Sequence, residues 1–360
     1  MAYVTEYGIH NQGLFELDPP TPDWAKKHGE PNLDVVAVHG LNGECFRSWT
    51  HEETTGEKTL WLRDLLLEKM PRTRVMTFGY DASVVGNTSV AGIRDNARKL
   101  LLLLRNKREG DGTFLRPIVF VGHSLGGIII KQALRIGRNE PTLAHVADST
   151  KGIVFFGTPH RGTDVASWGE LVAGIKAASF GTRPRTPFFK LLRSNSNDLM
   201  DLSEDFRPIA QSYALVSFVE ENTISKLGFN RVVVARHSAV MELPHEECML
   251  INGDHSSMCK FSRDPAQAGR FDAVWRSIQR AAKGSGMATA PAMGMGMAPA
   301  VSMFEVYQQL AAQAQAQAQA HAHGGASYVV GRPGVGMIQG SVVGPARPSW
   351  QLQSQPVVMS

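Results

Sequence analysis

The chain has 360 residues, 43% of them hydrophobic and 19% charged, with a formal net charge of +4. This length holds one large domain with a proper core, or two modest ones. An excess of 37 basic over 33 acidic side chains, with no clustered basic stripe, argues against a nucleic-acid surface. Three cysteines (Cys45, Cys248 and Cys259) without CxxC spacing fit a reducing compartment rather than a disulfide framework or a zinc site. The N-terminal MAYVTEYGIHNQGLFELDPP lacks the basic and apolar regions of a signal peptide. No uncharged apolar run reaches the length of a bilayer span. The expectation is a cytoplasmic protein without metal or cofactor, with peripheral-membrane or mitochondrial association as alternatives.

Taken in chain order, strand-like and helix-like patterns alternate. LDVVAVHG (33–40) reads as a strand and LWLRDLLLEKM (60–70) as a helix, followed by strand TRVMTFGYD (73–81) and helix VAGIRDNARKLLLLLRNKR (90–108). Strand PIVFVGHS (117–124), helix GGIIIKQALRIGR (126–138) and strand KGIVFFGTPH (151–160) come next. YALVSFVEE (213–221) and CMLINGDH (248–255) are the last strands, and DPAQAGRFDAVWRSIQRAAK (264–283) is the last helix. Short runs rich in Val, Ile and Phe are buried on both faces, as in a parallel sheet. Such alternation predicts an open α/β sheet with its ligand site at the carboxyl ends of the strands.

Three polar clusters fall at those ends. GHSLGG has the form Gly122-x-Ser124-x-Gly126, the spacing of a nucleophile elbow. Its two glycines avoid collisions with the strand and the incoming helix, and the serine sits at a strained backbone angle. VVAVHGLNG ends an earlier strand, so the amides of Leu41 and Leu125 are the candidate oxyanion hole. NGDHSSMCKF places His255 after the last strand, as general base. Of the other histidines, His321 and His323 lie far downstream, His10 and His28 precede the first strong strand, and His160 comes too early for the order Ser, acid, His. The acid follows YALVSFV: Glu220 is first choice and Glu221 second, with Glu242, Glu246, Glu247 and Asp254 as rivals.

Composition changes after RSIQRAAK. From Ala281 to Ser360 the charged residues are Lys283, Glu305, Arg332 and Arg347, and AAQAQAQAQAHAHGG is low-complexity. Such a sequence cannot bury enough apolar surface to offset chain entropy. The predicted organisation is therefore a folded domain over 1–280 and a disordered tail over 281–360. Residues 164–207 mix apolar and basic side chains, as a lid meeting a lipid surface would, or they form two helices covering the sheet.

With these pieces placed, residues of about 15–262 resemble the fungal lipase/serine-esterase-like α/β-hydrolases, related to the serine-active-site-containing protein family. The carriers are LDVVAVHGLNG, WLRDLL, RVMTFGYDA, VFVGHSLGGIIIKQAL, IVFFGTPHRGT, SFVEE and DHSSMCKF. The resemblance implies an α/β-hydrolase fold, Ser124 as nucleophile, His255 as base, an acid at Glu220, and an acyl ester or phospholipid as substrate. One departure stands out. Members often carry an acid in the segment that here reads VVVARHSA, where Ala235, Arg236 and His237 occur instead. In fungi such domains accompany NLR-like receptors, which implies a receptor partner reached through the tail. The segment around 326–346, with VGMIQGSVVG at its core, resembles RHIM-like amyloid motifs.

Overall fold

The computed structural model describes residues 12–82, 90–160, 196–221, 224–226, 229–231, 234 and 236–285. The chain divides into two units, Met1–Pro291 and Ala292–Ser360, and every described residue belongs to the first. The segment around 326–346, the rest of the expected tail beyond 285, and 164–195 of the expected lid lie outside the described residues.

The strands are β1 (Gly13–Glu16), β2 (Leu33–Val38), β3 (Thr50–Glu52), β4 (Lys58–Leu60), β5 (Thr73–Gly79), β6 (Ile118–His123), β7 (Thr150–Phe156), β8 (Ala214–Glu220), β9 (Ile224–Lys226), β10 (Phe229–Arg231) and β11 (Glu246–Ile251). The helices are α1 (Trp24–His28), α2 (Trp61–Asp64), α3 (Leu66–Lys69), α4 (Val90–Gly110), α5 (Leu125–Asn139), α6 (Ala144–Ser149), α7 (Ser196–Ala210) and α8 (Pro265–Ala281). Seven strands form one sheet in the order β1-β5-β2-β6-β7-β8-β11. All neighbours are parallel except β1, which pairs antiparallel with β5. This mostly parallel sheet with helices on both faces is the open α/β sheet that the strand pattern predicts, in the α/β-hydrolase arrangement that the family resemblance implies.

Alternation along each strand divides the core in two. Val36, Val38, Phe120 and Phe155 pack on one side with Ile93, Leu100 and Leu104 of α4 and Ile128 and Ile129 of α5. Val35, Val121, Val154 and Phe218 point to the other side, among Trp61, Leu66, Phe261, Val274 and Ile278. Because successive side chains leave opposite faces of a strand, a run such as Val35–Val38 is apolar throughout and serves both layers.

The single helix expected over 60–70 is two short turns. Leu65 between them has φ −113° and ψ −40°, and the Asp64 carboxylate turns back to accept from the Leu60 N–H at 2.8 Å.

At the end of the sheet opposite the polar clusters, Asp34 is fully buried and holds three arginines. Arg74 binds it bidentately at 2.9 and 2.8 Å, Arg108 donates at 2.5 Å and Arg116 at 3.2 Å. Arg74 also donates to Asp111 at 2.6 Å. Removing one charge from a buried cluster leaves the others uncompensated, typically at a cost of about 3–5 kcal/mol. Asp34→Asn is therefore expected to lower the unfolding free energy by about that amount in urea denaturation. A change within experimental error would show that the cluster is already neutralised by solvent.

Candidate active site

The elbow grows directly from strand sterics. β6 ends at His123, α5 begins at Leu125, and Ser124 between them has φ 52° and ψ −120°. Non-glycine residues avoid that region, at a cost of order 1–3 kcal/mol, and they persist there only where the surroundings over-determine them. Here they do. The Ser124 N–H donates to the Phe156 carbonyl at 2.9 Å, and the Ser124 carbonyl accepts from Gly127 N–H at 3.1 Å. A Cβ on Gly126 would lie 2.0 Å from the Val38 carbonyl oxygen, and one on Gly122 would lie 2.8 Å from the Gly127 Cα. Gly122 and Gly126 thus let β2, β6 and α5 approach closely enough to force the turn.

Ser124 is 1% exposed, and its Oγ has no hydrogen-bond partner among the described residues. His255 is 2% exposed, and its Nε2 is likewise without one. The other ring nitrogen, Nδ1, lies 3.1 Å from Glu220 Oε2. A carboxylate only accepts, so Nδ1 carries the proton and Nε2 keeps a lone pair. The second oxygen of Glu220 accepts from the Val234 N–H at 2.7 Å. Glu220, at 4% exposure, is therefore a buried carboxylate with both oxygens engaged.

This geometry separates the candidate acids. Glu220 ends β8 and pairs in parallel register with Ile251, four residues before His255. Glu221 and Glu242 are exposed. Glu246 accepts from Ser217 Oγ and the Met241 N–H, and Glu247 pairs with Arg280. Asp254 accepts from the Ser256 and Ser257 amides, which makes it the shaper of the turn that carries His255. In VVVARHSA the contribution is a backbone one: the Val234 amide bonds Glu220, and Arg236 and His237 are exposed.

The Gly40–Leu41 peptide is held from one side. The Gly40 carbonyl accepts from Gly43 N–H at 3.0 Å and lies 2.9 Å from His39 Nδ1, which donates to it. In a trans peptide the N–H points opposite to the C=O, so pinning this oxygen turns the Leu41 N–H away from His39. His39 is stacked on Tyr80 at 4.4 Å, and the Tyr80 hydroxyl donates to the His39 carbonyl at 2.8 Å. Gly40 packs on the elbow itself, since a Cβ there would meet Ser124 Cβ at 2.8 Å. Leu125 opens α5, and the first amides of a helix have no acceptor within it.

Sequence reasoning missed several supporting residues. Gly157, at φ 51°, follows β7 against the imidazole, where a Cβ would lie 3.0 Å from His255 Nδ1. Its signal was the glycine in FFGTPH. The side chain of His123 had no signal, because its partner is distant in sequence. Burial pushes the His39 imidazole down to about 4. Burial, and then the neighbouring His255 charge, push His123 down to about 3. The unfolded chain binds protons at both positions below the ordinary histidine value near 6.5. Stability should thus be complete above pH 6.5 and decline as pH falls toward 4. At pH 4.5 the expected loss is roughly 2–3 kcal/mol for each residue. Urea denaturation at pH 7 and 4.5 measures this, and equal midpoints would contradict it.

Comparisons with known proteins bear on the same region. Residues 30–183 match the family model described as "Putative serine esterase (DUF676)". Protein SERAC1 of Danio rerio is 30% identical over 271 residues, covering 70% of this chain and 39% of that protein. Protein SERAC1 of Homo sapiens is 27% identical, over 52% of this chain and 30% of that protein. The chain thus spans between three and four tenths of the length of these relatives. They come from vertebrates and lend no support to a fungal setting or a receptor partner. Among solved structures, the lipase BlEst2 of Bacillus licheniformis is similar at a TM-score of 0.44 and 20% identity, over 74% of this chain and 97% of that one. A monoacylglycerol lipase of Paleococcus ferrophilus has a TM-score of 0.40 and 15% identity, over 74% and 99%. The fold assignment rests on the sheet order above. Among the described residues no helix is long and apolar enough to cross a membrane.

Proposed function

We propose that the chain is a serine hydrolase of carboxylic esters, with Ser124, His255 and Glu220 as its catalytic residues. One observation carries the reading: a buried Glu220–His255 pair leaves His255 Nε2 as a lone-pair base, in a site where Ser124 Oγ is also buried without a partner among the described residues. In the mechanism, Ser124 Oγ attacks the acyl carbon while Nε2 takes its proton. Glu220 holds the tautomer and stabilises the imidazolium. The Leu41 and Leu125 amides receive the negative charge on the carbonyl oxygen. His255 then returns the proton to the leaving alcohol. Water, activated by the same nitrogen, attacks the acyl-serine and releases the carboxylic acid, restoring Ser124.

The match of 30–183 to a serine esterase family supports the reaction class. Within that class we favour lipid esters, including phospholipids, on the mixed apolar and basic composition of 164–207. That choice also implies transient contact with a membrane surface. Purified protein should react with a fluorophosphonate probe, and peptide mapping should place the adduct on Ser124. A panel of short- and long-chain esters and phospholipids then tests the substrate: a preference for short, soluble esters would overturn the lipid choice alone. Absence of any adduct would overturn the enzyme. A separate reading, recruitment by a receptor through the tail, draws on the composition of 326–346, and a peptide of that segment that never forms fibrils would remove it.

A further inference from the structure

Glu220, Ser124 and His255 sit at the ends of β8, β6 and β11, and β11 lies three places from β6 in the sheet. At about 4.8 Å per strand, the loop after β11 must reach back some 14 Å to bring its imidazole over the elbow. Several bonds hold the far part of that loop. Arg270 Nη2 donates to the Ser257 carbonyl at 3.1 Å, and Trp61 Nε1 donates to the Cys259 carbonyl at 2.9 Å. These fasten it to α8 and α2, on the layer away from Ser124. At His255 itself, the main-chain carbonyl is 2.8 Å from Nε2 of His123, the residue immediately before Ser124.

A carbonyl only accepts, so His123 Nε2 carries the proton and donates. The His123 and His255 rings are 5.0 Å apart. A second imidazolium beside the one formed during catalysis would repel it. A neutral histidine supplies the donor without that charge.

We propose that His123 is a positioning residue: its Nε2–H clasps the backbone of the general base to the elbow and so registers His255 against Ser124. The assignment rests on the serine-hydrolase reading given above. The clasp acts through a single side chain adjacent to the nucleophile, so an elbow shift and a base shift become one movement. Misplacing a catalytic group by about 1 Å can cost on the order of 10²-fold in rate. His123→Phe keeps a planar ring but removes the donor, whereas His123→Gln keeps an N–H donor on a side chain of similar reach.

For a small activated ester, His123→Phe is expected to lower kcat by about 10²-fold. KM should stay within about two-fold, because the acyl-binding surface is untouched. Fluorophosphonate labelling of Ser124 should slow in parallel, and His123→Gln should recover at least about ten-fold of the loss. Equal labelling rates for His123→Phe and the unaltered protein would overturn the clasp. So would equal losses in the Phe and Gln variants, which would indicate packing alone. Nitrogen-15 histidine spectra of the unaltered chain give a test independent of activity and of variant folding. His123 should appear as a neutral Nε2–H tautomer, and an Nδ1–H tautomer would refute the clasp even if no hydrolysis were detected. If the unaltered protein neither labels nor hydrolyses while the Nε2–H tautomer is present, the catalytic reading fails and the clasp stands.

Discussion

Ser124→Ala is expected to abolish fluorophosphonate labelling and to lower kcat on any ester by about 10⁴–10⁶-fold, leaving the fold intact. The loss is large because the alanine variant removes the attacking atom, not one of its supports. The companion variant, Ser124→Gly, should be equally inactive but more stable than Ser124→Ala by about 1 kcal/mol. At φ 52° and ψ −120° an alanine keeps the backbone strain of the serine, whereas glycine occupies that region freely. Urea denaturation of the two variants, run beside ester assays, separates the cost of the turn from the chemistry it serves. An alanine variant with more than a few per cent of the original rate would remove Ser124 as nucleophile. A glycine variant no more stable than alanine would mean that the elbow is held without strain.

The second large effect is at Glu220. Glu220→Gln keeps the shape of the side chain and an oxygen for the Val234 N–H, but it removes the charge facing His255 Nδ1. The amide can also present its NH2 to the ring, which would put the imidazole in the tautomer that donates from Nε2. A fall in kcat of about 10³–10⁴-fold is expected, with little change in KM. Glu220→Ala should cost a further 1–3 kcal/mol of stability, roughly, because a buried amide and a ring nitrogen lose their acceptor. Glu221→Gln and Glu242→Gln, both at exposed positions, should stay within about two-fold of the parent. If either of those, and not Glu220→Gln, lost activity, the acid would have to be reassigned.

The parallel core was legible because a strand buried on both faces must be apolar at every position, as in IVFV and IVFF. The ends of the sheet were not. β1 is four residues, GLFE, and joins the sheet through a single antiparallel partner. β11 begins at Glu246, two residues before the apolar run CMLI, because the Glu246 carboxylate bonds Ser217 Oγ on the neighbouring strand and so belongs inside the sheet's edge. Polar residues placed by tertiary partners carry no periodic signal.

The site was legible in the same uneven way. As candidates, Ser124 and His255 stand out through glycine spacing and chain order, and Glu220 through its place at the end of β8. The tautomers and the contact of His123 with the His255 carbonyl were hidden, since a hydrogen bond between residues 132 positions apart leaves no trace in local composition.

β11 has one further consequence. It is one of the two edge strands, paired among the described residues with β8 alone, and Leu250 on it is exposed. The proposed nucleophile, Ser124, follows an interior strand, and the proposed base, His255, hangs from the rim. Opening of an edge costs less than global unfolding. A brief fraying of β11 would therefore carry His255 off Glu220 while β6 and its serine stayed in place. The proposed catalytic pair would then come apart on warming before the core melts.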